Sequence, residues 1–254
     1  MKNKKILVFS PHADDVEIAM GGTIAKLSKD NEIVLVTCIL PNEDRQGNVD
    51  QHMINNREIE QAKSAGILGA KLHLMNLDSY KFAYNREYVK LFDQLIVSHE
   101  PDVIFSCWEH DTHQDHQTLA KILYSALRKN DISYYMYEST NLPGGLGNKQ
   151  FVPHVFVDIS GEPIKKKIES LNQYKNYIGD VIESITARSK YKGGIVGVDH
   201  AETFQVIKQL ELCDPDSPIQ FYFLDNYNLN NCKLETVIEA DGQTEITIEE
   251  NKDD

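Results

Sequence analysis

Up to residue 138, apolar and polar positions switch repeatedly between the period of a strand and that of a helix. Lys5-Ile6-Leu7-Val8-Phe9 is a short apolar run ending in Ser10-Pro11, the pattern of a strand covered on both faces. A helical stretch over 15–29 follows, with Ile18, Ala25 and Leu27 among its apolar positions, and 33–40 is a continuous, largely β-branched second strand. The pattern then predicts a polar loop over 41–53, a helix over 55–68 stopped by Gly69, and a strand over 71–77. A helix over 86–100, a strand over 103–108, a helix over 115–129 and a strand over 134–138 complete the series. Such alternation implies parallel strands joined by right-handed crossovers: a Rossmann-like three-layer α/β sandwich with a mostly parallel sheet.

After Gly144-Gly145 the rhythm changes. Residues 151–159 read as a strand, 163–190 as a long helical pattern interrupted near Gly179, and 202–208 as a short helix. From 234 to 249, apolar and polar residues alternate around Asp241-Gly242, a strong β-hairpin signal. We therefore expect a main domain over 1–228 and a C-terminal hairpin extension with an acidic tail over 229–254.

Charge narrows the function. The 254 residues carry 26 Lys and Arg against 39 Asp and Glu, a formal net charge of −13. A nucleic-acid grip needs clustered cations, so a nucleic-acid partner is not expected. No apolar run approaches the roughly 20 residues that span a bilayer, and the apolar stretch behind Met1-Lys2-Asn3-Lys4-Lys5 is too short for export. Cys38, Cys107, Cys213 and Cys232 are widely spaced and form no C-x-x-C pair, which fits a reduced, cytoplasmic protein without a membrane partner.

Two polar clusters stand where strands end, the place at which open α/β sheets bind ligands. Pro11-His12-Ala13-Asp14-Asp15-Val16-Glu17 follows the first strand, and His110-Asp111-Thr112-His113-Gln114-Asp115-His116 follows the fourth. If those strands are neighbours at the reversal of strand order, both clusters face one crevice. They offer imidazole and carboxylate ligands without thiolates, which suits zinc or another divalent ion in a hydrolytic site. His12, Asp15 and His116 supply three ligands and leave a position for water, whose pKa such an ion lowers to about 7. Asp14, adjacent to a ligand yet free to point elsewhere, is the candidate general base. His113, one helical turn before His116, is the candidate oxyanion or acid partner, expected in protonated form, and Asp115 between them the group that orients a ring. Taken singly, each piece has an ordinary reading: paired Asp residues after a strand cap a helix, and histidines at a helix start are solvated. Their conjunction at two strand ends argues for a site.

These motifs resemble those of the PIG-L/LmbE-like zinc-dependent de-N-acetylases. That family's A-H-P-D-D-x-E appears as Ser10-Pro11-His12-Ala13-Asp14-Asp15-Val16-Glu17, with Ala13 in place of proline, and its H-P-D-H as His113-Gln114-Asp115-His116, again without proline. The helix start over 16–26 is similar too, especially to deacetylases of bacillithiol synthesis. So are the R-x-E-x-x-x-A-x-x-x-L-G pattern from Arg57 to Gly69, the strand over 156–160 and the ending Gly197-Val198-Asp199-His200-Ala201-Glu202-Thr203-Phe204. The likeness runs over about residues 4–208. It implies zinc, one ion per chain, on His12, Asp15 and His116, Asp14 as base, and His113 as acid or electrophile. It also directs Arg57 toward the substrate. His200 stands where the family carries a tyrosine that contributes to oxyanion stabilisation, and could substitute as a donor. The loop after the second strand lacks the family's T-x-G-E pattern; its Asp44 and Arg45 could orient sugar hydroxyls or a charged appendage.

The expected activity is removal of an acetyl group from an N-acetylated amino sugar, N-acetylglucosamine-like, or a small glycoconjugate. Two rivals are a metal-dependent phosphoesterase, whose two-ion sites need more carboxylates, and a non-catalytic Rossmann-type sugar- or nucleotide-binding module. The second finds no G-x-G-x-x-G after the first strand and no P-loop. The C-terminal hairpin would serve either as a contact in a homo-oligomer or as an added sheet edge.

Overall fold

The structure, a computed structural model, describes residues 1–40, 51–138, 149–174, 178–210, 232–238 and 244–250. The chain divides into two units, Met1–Tyr222 and Phe223–Asp254. In the first, the strands are β1 (Lys5–Ser10), β2 (Glu32–Thr37), β3 (Lys71–Leu74), β4 (Val103–Cys107), β5 (Ser133–Tyr137), β6 (Val155–Asp158) and β7 (Ala201–Lys208). The helices are α1 (Asp15–Leu27), α2 (Gln51–Leu68), α3 (Arg86–His99), α4 (Gln114–Ala126), α5 (Glu162–Leu171) and, as α6, Ile182–Val196.

Among the described residues, seven strands make one sheet in the order β3-β2-β1-β4-β5-β7-β6. The five that the alternating pattern predicts are mutually parallel. The chain winds from β1 out to β3, then returns to the other side of β1 for β4 and β5. The reversal of strand order therefore lies between β1 and β4, and the crevice that such a switch creates opens at their carboxyl ends. Helix contacts fall into two groups, α1 with α2 and α5, and α3 with α4, giving the outer layers of the sandwich. Ile6 to Phe9, Leu35, Val36, Ile104 and Phe105 are buried at the centre of one large core. Each such side chain contributes about 1.5–3 kcal/mol on leaving water. Gly69 stops α2 as expected, at φ 78°, and a side chain there would also strike the Ser28 hydroxyl at 2.7 Å.

The helix expected over 202–208 is instead strand β7, which pairs antiparallel with β5 and β6: Phe204 faces Tyr137 on one side and Val155 on the other. Short apolar runs are ambiguous between helix and strand, and here two waiting strand edges supply the backbone partners that decide it. The helical pattern over 163–190 is broken as expected, into α5 and α6. No helix among the described residues is long and apolar enough to cross a membrane. In the second unit, β8 (Cys232–Ile238) and β9 (Thr244–Glu250) form a two-stranded antiparallel sheet.

Candidate metal centre

The turn between β1 and α1 carries the first cluster. Val16 is buried in the main core, while Ala13 and Ile18 pack with Leu40, Leu171, Tyr174, Ile178 and Ile185 in a smaller one, so the turn is clamped from both sides. Asp14 sits at φ 91° and ψ −31°, an uncommon conformation for a residue with a Cβ, of the kind that concentrates at functional sites. It lets Asp15 open the helix with its carboxylate turned back on the loop: Asp15 Oδ2 accepts the His12 backbone N–H at 3.0 Å and meets His12 Nδ1 at 3.2 Å.

The second cluster reaches the same point from β4. His113 caps α4, its Nδ1 accepting the Asp115 N–H at 3.2 Å. His116, one turn on, brings Nε2 to 3.1 Å from Asp15 Oδ2. One buried carboxylate oxygen thus touches imidazoles from two segments. One ring nitrogen from each of His12, His113 and His116 lies within 4.8 Å of the other two, so among the described residues these three histidines form a set that could hold a metal ion. His12, Asp14, Asp15, His113, Asp115 and His116 all belong to the two strand-end turns that meet across the β1–β4 switch.

The outer nitrogens are also engaged. His12 Nε2 donates to Asp115 Oδ2 at 2.9 Å, and His116 Nδ1 donates to Asp111 Oδ2 at 3.0 Å. Asp115 therefore orients His12, across the cluster, more closely than the neighbouring His113, whose Nδ1 is 3.8 Å away. Asp111, 1% exposed, has a part that the sequence motifs alone do not assign. Its other oxygen accepts the His113 backbone N–H at 2.9 Å, so it ties both histidines of the second cluster. The signal was there: an aspartate inside an Asp-x-His-x-x-His run, in a turn that must be buried.

The electrostatics ask for a cation. Burial alone would neutralise His12 and His116, yet the carboxylates of Asp115 and Asp15, and of Asp15 and Asp111, hold their pKa values up at about 9 and about 10. Burial would likewise raise Asp15, but His116 and His12 pull its pKa far below the ordinary range. Asp14 goes the other way: burial, then the charges of Asp15 and Glu17, push its carboxyl well above the usual value, against a smaller opposing pull from His12 and Arg57. His113 is lowered by burial and by the two neighbouring rings. Because its Nδ1 accepts the Asp115 N–H, the hydrogen of this ring belongs on Nε2. A divalent ion fits this set. Three imidazoles lie close enough to share it, with the Asp15 carboxylate against two of them; the other nitrogens of His12 and His116 sit on carboxylates as behind zinc ligands, and an ion would replace the protons the acids now demand.

Arg57, on α2, is half-buried and near enough to Asp14 for their charges to interact. His200 lies just before β7. The Ser189 hydroxyl donates to Thr186 O at 2.8 Å and so accepts from His200 Nδ1 at 3.0 Å, which holds the His200 ring against α6. Asp44 and Arg45 lie outside the described residues. Glu17, fully buried, accepts from Ser64 Oγ and Tyr174 Oη, both at 2.7 Å.

Residues 7–127 match the family described as PIG-L: GlcNAc-PI de-N-acetylase. Over that stretch, a little under half of its length, the chain is similar to the PIG-L/LmbE-like family. It is 34% identical over 122 residues to the diacetylchitobiose deacetylase of Thermococcus kodakarensis, covering 45% of each chain, so the match spans less than half that relative's length. It is 27% identical over 185 residues to the uncharacterized deacetylase YaiS of Escherichia coli, covering 69% of this chain and 92% of that one. Among solved structures, the 4-carboxy-2-hydroxymuconate hydratase GalB from Pseudomonas putida superposes with a TM-score of 0.71 at 18% identity, over 83% of this chain and 99% of its own. That last likeness is one of fold. Since PIG-L-like architecture recurs in a hydratase, the reaction has to be argued from the site.

Proposed function

We propose that the chain is a metal-dependent N-deacetylase that frees acetate from an N-acetylated amino sugar or a small conjugate of one. The observation that carries this reading is the meeting of His12 Nδ1, Asp15 Oδ2 and His116 Nε2 beside Asp14 in a chain similar to the PIG-L family. The names of its deacetylase relatives support it. His12, Asp15 and His116 would hold one zinc or other divalent ion, which when bound supplies a Lewis acid for the acetamide carbonyl and acidifies a water.

The protein's own groups do the rest. Asp115 and Asp111 fix the two ligand rings through their outer nitrogens. Asp14 takes the proton of the attacking water and returns it to the departing amine; its raised pKa brings it nearer the working pH, where a base that must also act as an acid is most effective. His113 presents Nε2–H to the carbonyl oxygen as negative charge develops there. Arg57 lies beside Asp14 as a contact for the substrate. A two-ion phosphoesterase would need further carboxylates beside Asp15, whereas Asp111 and Asp115 each already serve an imidazole.

Acetate release from a panel of N-acetylated mono- and disaccharides by the zinc-loaded protein tests the reading. Turnover is expected, with a loss of at least ~10²-fold in Asp14→Asn. No acetate from any member of the panel, or undiminished turnover in Asp14→Asn, overturns it.

A further inference from the structure

Helix α1 begins at a ligand, Asp15, and is broken at Met20, whose φ of −143° and ψ of 22° are not helical. A break at that point removes the bond that the Gly22 N–H would make to the Ile18 carbonyl one turn back. Both orphaned groups lie in the interior, where an unpaired backbone group is costly. Each is met by a side chain from the second half of the fold. The Lys167 ammonium, on α5, donates to Ile18 O at 2.8 Å. The Glu202 carboxylate, on β7, accepts from Gly22 N at 3.1 Å and Thr23 N at 2.6 Å.

Lys167 and Glu202 bond each other as well, and both side chains are 2% exposed. Acceptor, cation, anion and donor thus form one chain, an ion pair inserted into a broken helical bond, which is a recognised cause of a sharp kink. The sequence makes room for it. A Cβ on Gly22 would come within 2.8 Å of Ile159, and one on Gly21 within 3.3 Å of Lys167 Cγ.

We propose that the buried Lys167–Glu202 pair is a positioning device for the metal-binding turn: it splints α1 at its break and so fixes the first turn, which carries Asp14 and Asp15. Neither residue touches the reacting groups, and both lie outside the stretch that matches the family profile. The pair explains how residues beyond 127 take part in a site built from the first 116. The metal arm of the test rests on the reading of His12, Asp15 and His116 as ligands; the exchange arm does not.

The test uses the full chain with Glu202→Gln, with Lys167→Met, and with the double variant Lys167→Met/Glu202→Gln, which buries no lone charge and so keeps the experiment open if a single variant fails to fold. Ile96→Ala, a buried α3 position on the other face of the sheet from α1 and α5, supplies a control of lowered thermal stability. Two readouts are taken: Co²⁺ affinity with its visible absorption band, and amide hydrogen exchange over residues 10–20. We expect Co²⁺ binding to weaken roughly tenfold, the band to shift, and exchange over 10–20 to accelerate in the pair variants, the double one included, with none of these changes in Ile96→Ala. If 10–20 exchanges as in Ile96→Ala and the Co²⁺ band is unmoved, the pair is merely structural and the proposal falls. If the parent binds no Co²⁺, the ligand reading fails instead, and the exchange comparison alone decides the positioning claim.

Discussion

Asp111 offers the sharpest single test of how the centre is built. Its Oδ2 accepts from His116 Nδ1 at 3.0 Å and its Oδ1 from the His113 backbone N–H at 2.9 Å. Asp111→Asn keeps size and shape but converts one of those oxygens to an NH₂. Whichever way the amide is turned, one of the two N–H groups then faces another donor in a nearly water-free site. Losing a hydrogen bond to a charged group costs about 1.5–3 kcal/mol. Removing an outer partner of a ligating imidazole lowers metal affinity about 10–100-fold, which is roughly 1.4–2.8 kcal/mol at 1.4 kcal/mol per decade. The two routes agree. Zinc titration of parent and variant against a competing chromophoric chelator reads this directly, and the expected result is a Kd raised by one to two decades in a folded protein. A change of less than about twofold would mean that His116 does not need Asp111 to hold its ring, and the argument for the outer carboxylates would fail with it.

Further outcomes follow from the same geometry. His113→Leu should lower kcat by about 10²–10³ with zinc content unchanged, because it removes a transition-state donor and not a ligand; an equal loss of bound zinc, measured by elemental analysis, would make His113 a ligand. Chelation should abolish turnover, and zinc should restore it while raising unfolding stability by about 2.7 kcal/mol at 100 times Kd; a melt indifferent to zinc would contradict a folded-state site. Phe92→Ala, at the end of the Phe9–Phe92 ring contact at 5.5 Å, should cost about 3–5 kcal/mol in denaturant unfolding without altering metal affinity. Burial raises the Glu17 carboxyl above its ordinary 4.5, so the native state holds that proton more tightly than the unfolded chain. The resulting stability is full below about 4.5 and is lost as pH rises through the folded value. Glu17→Gln should therefore flatten the fall in metal-free stability above that pH, and an unchanged slope would refute it.

The first half of the fold was legible because a doubly wound sheet writes itself into local periodicity. Strands buried on both faces are continuous apolar runs, the crossover helices separate them, and the strand-end turns hold the polar residues. The two polar clusters share one crevice because β1 and β4 are neighbours where the strand order reverses. What periodicity does not encode is which carboxylate serves which ring. Asp115 reads as a neighbour of His113 and His116, but its carboxylate reaches across to His12. Asp111 likewise acts through a buried turn whose bonds carry no repeat.

The misread of 202–208 has the same origin and leads further. A seven-residue run of mixed apolar and polar character has no decisive period, and its state was settled by β5 and β6, elements that lie far from it in sequence. Read as a helix, the segment would have no reason to send Glu202 into the interior. As a central strand it must bury alternate side chains, and a buried glutamate requires partners of matching charge and donors. Lys167 and the opened turn of α1 are those partners, 2.5 Å away in the case of the ammonium. A charged residue inside an otherwise apolar strand is thus a question put to the rest of the chain. Here the answer is a helix that would otherwise leave a broken hydrogen bond close to Asp15, so on the proposed reading the strand assignment and the integrity of the turn that would hold the metal stand or fall together.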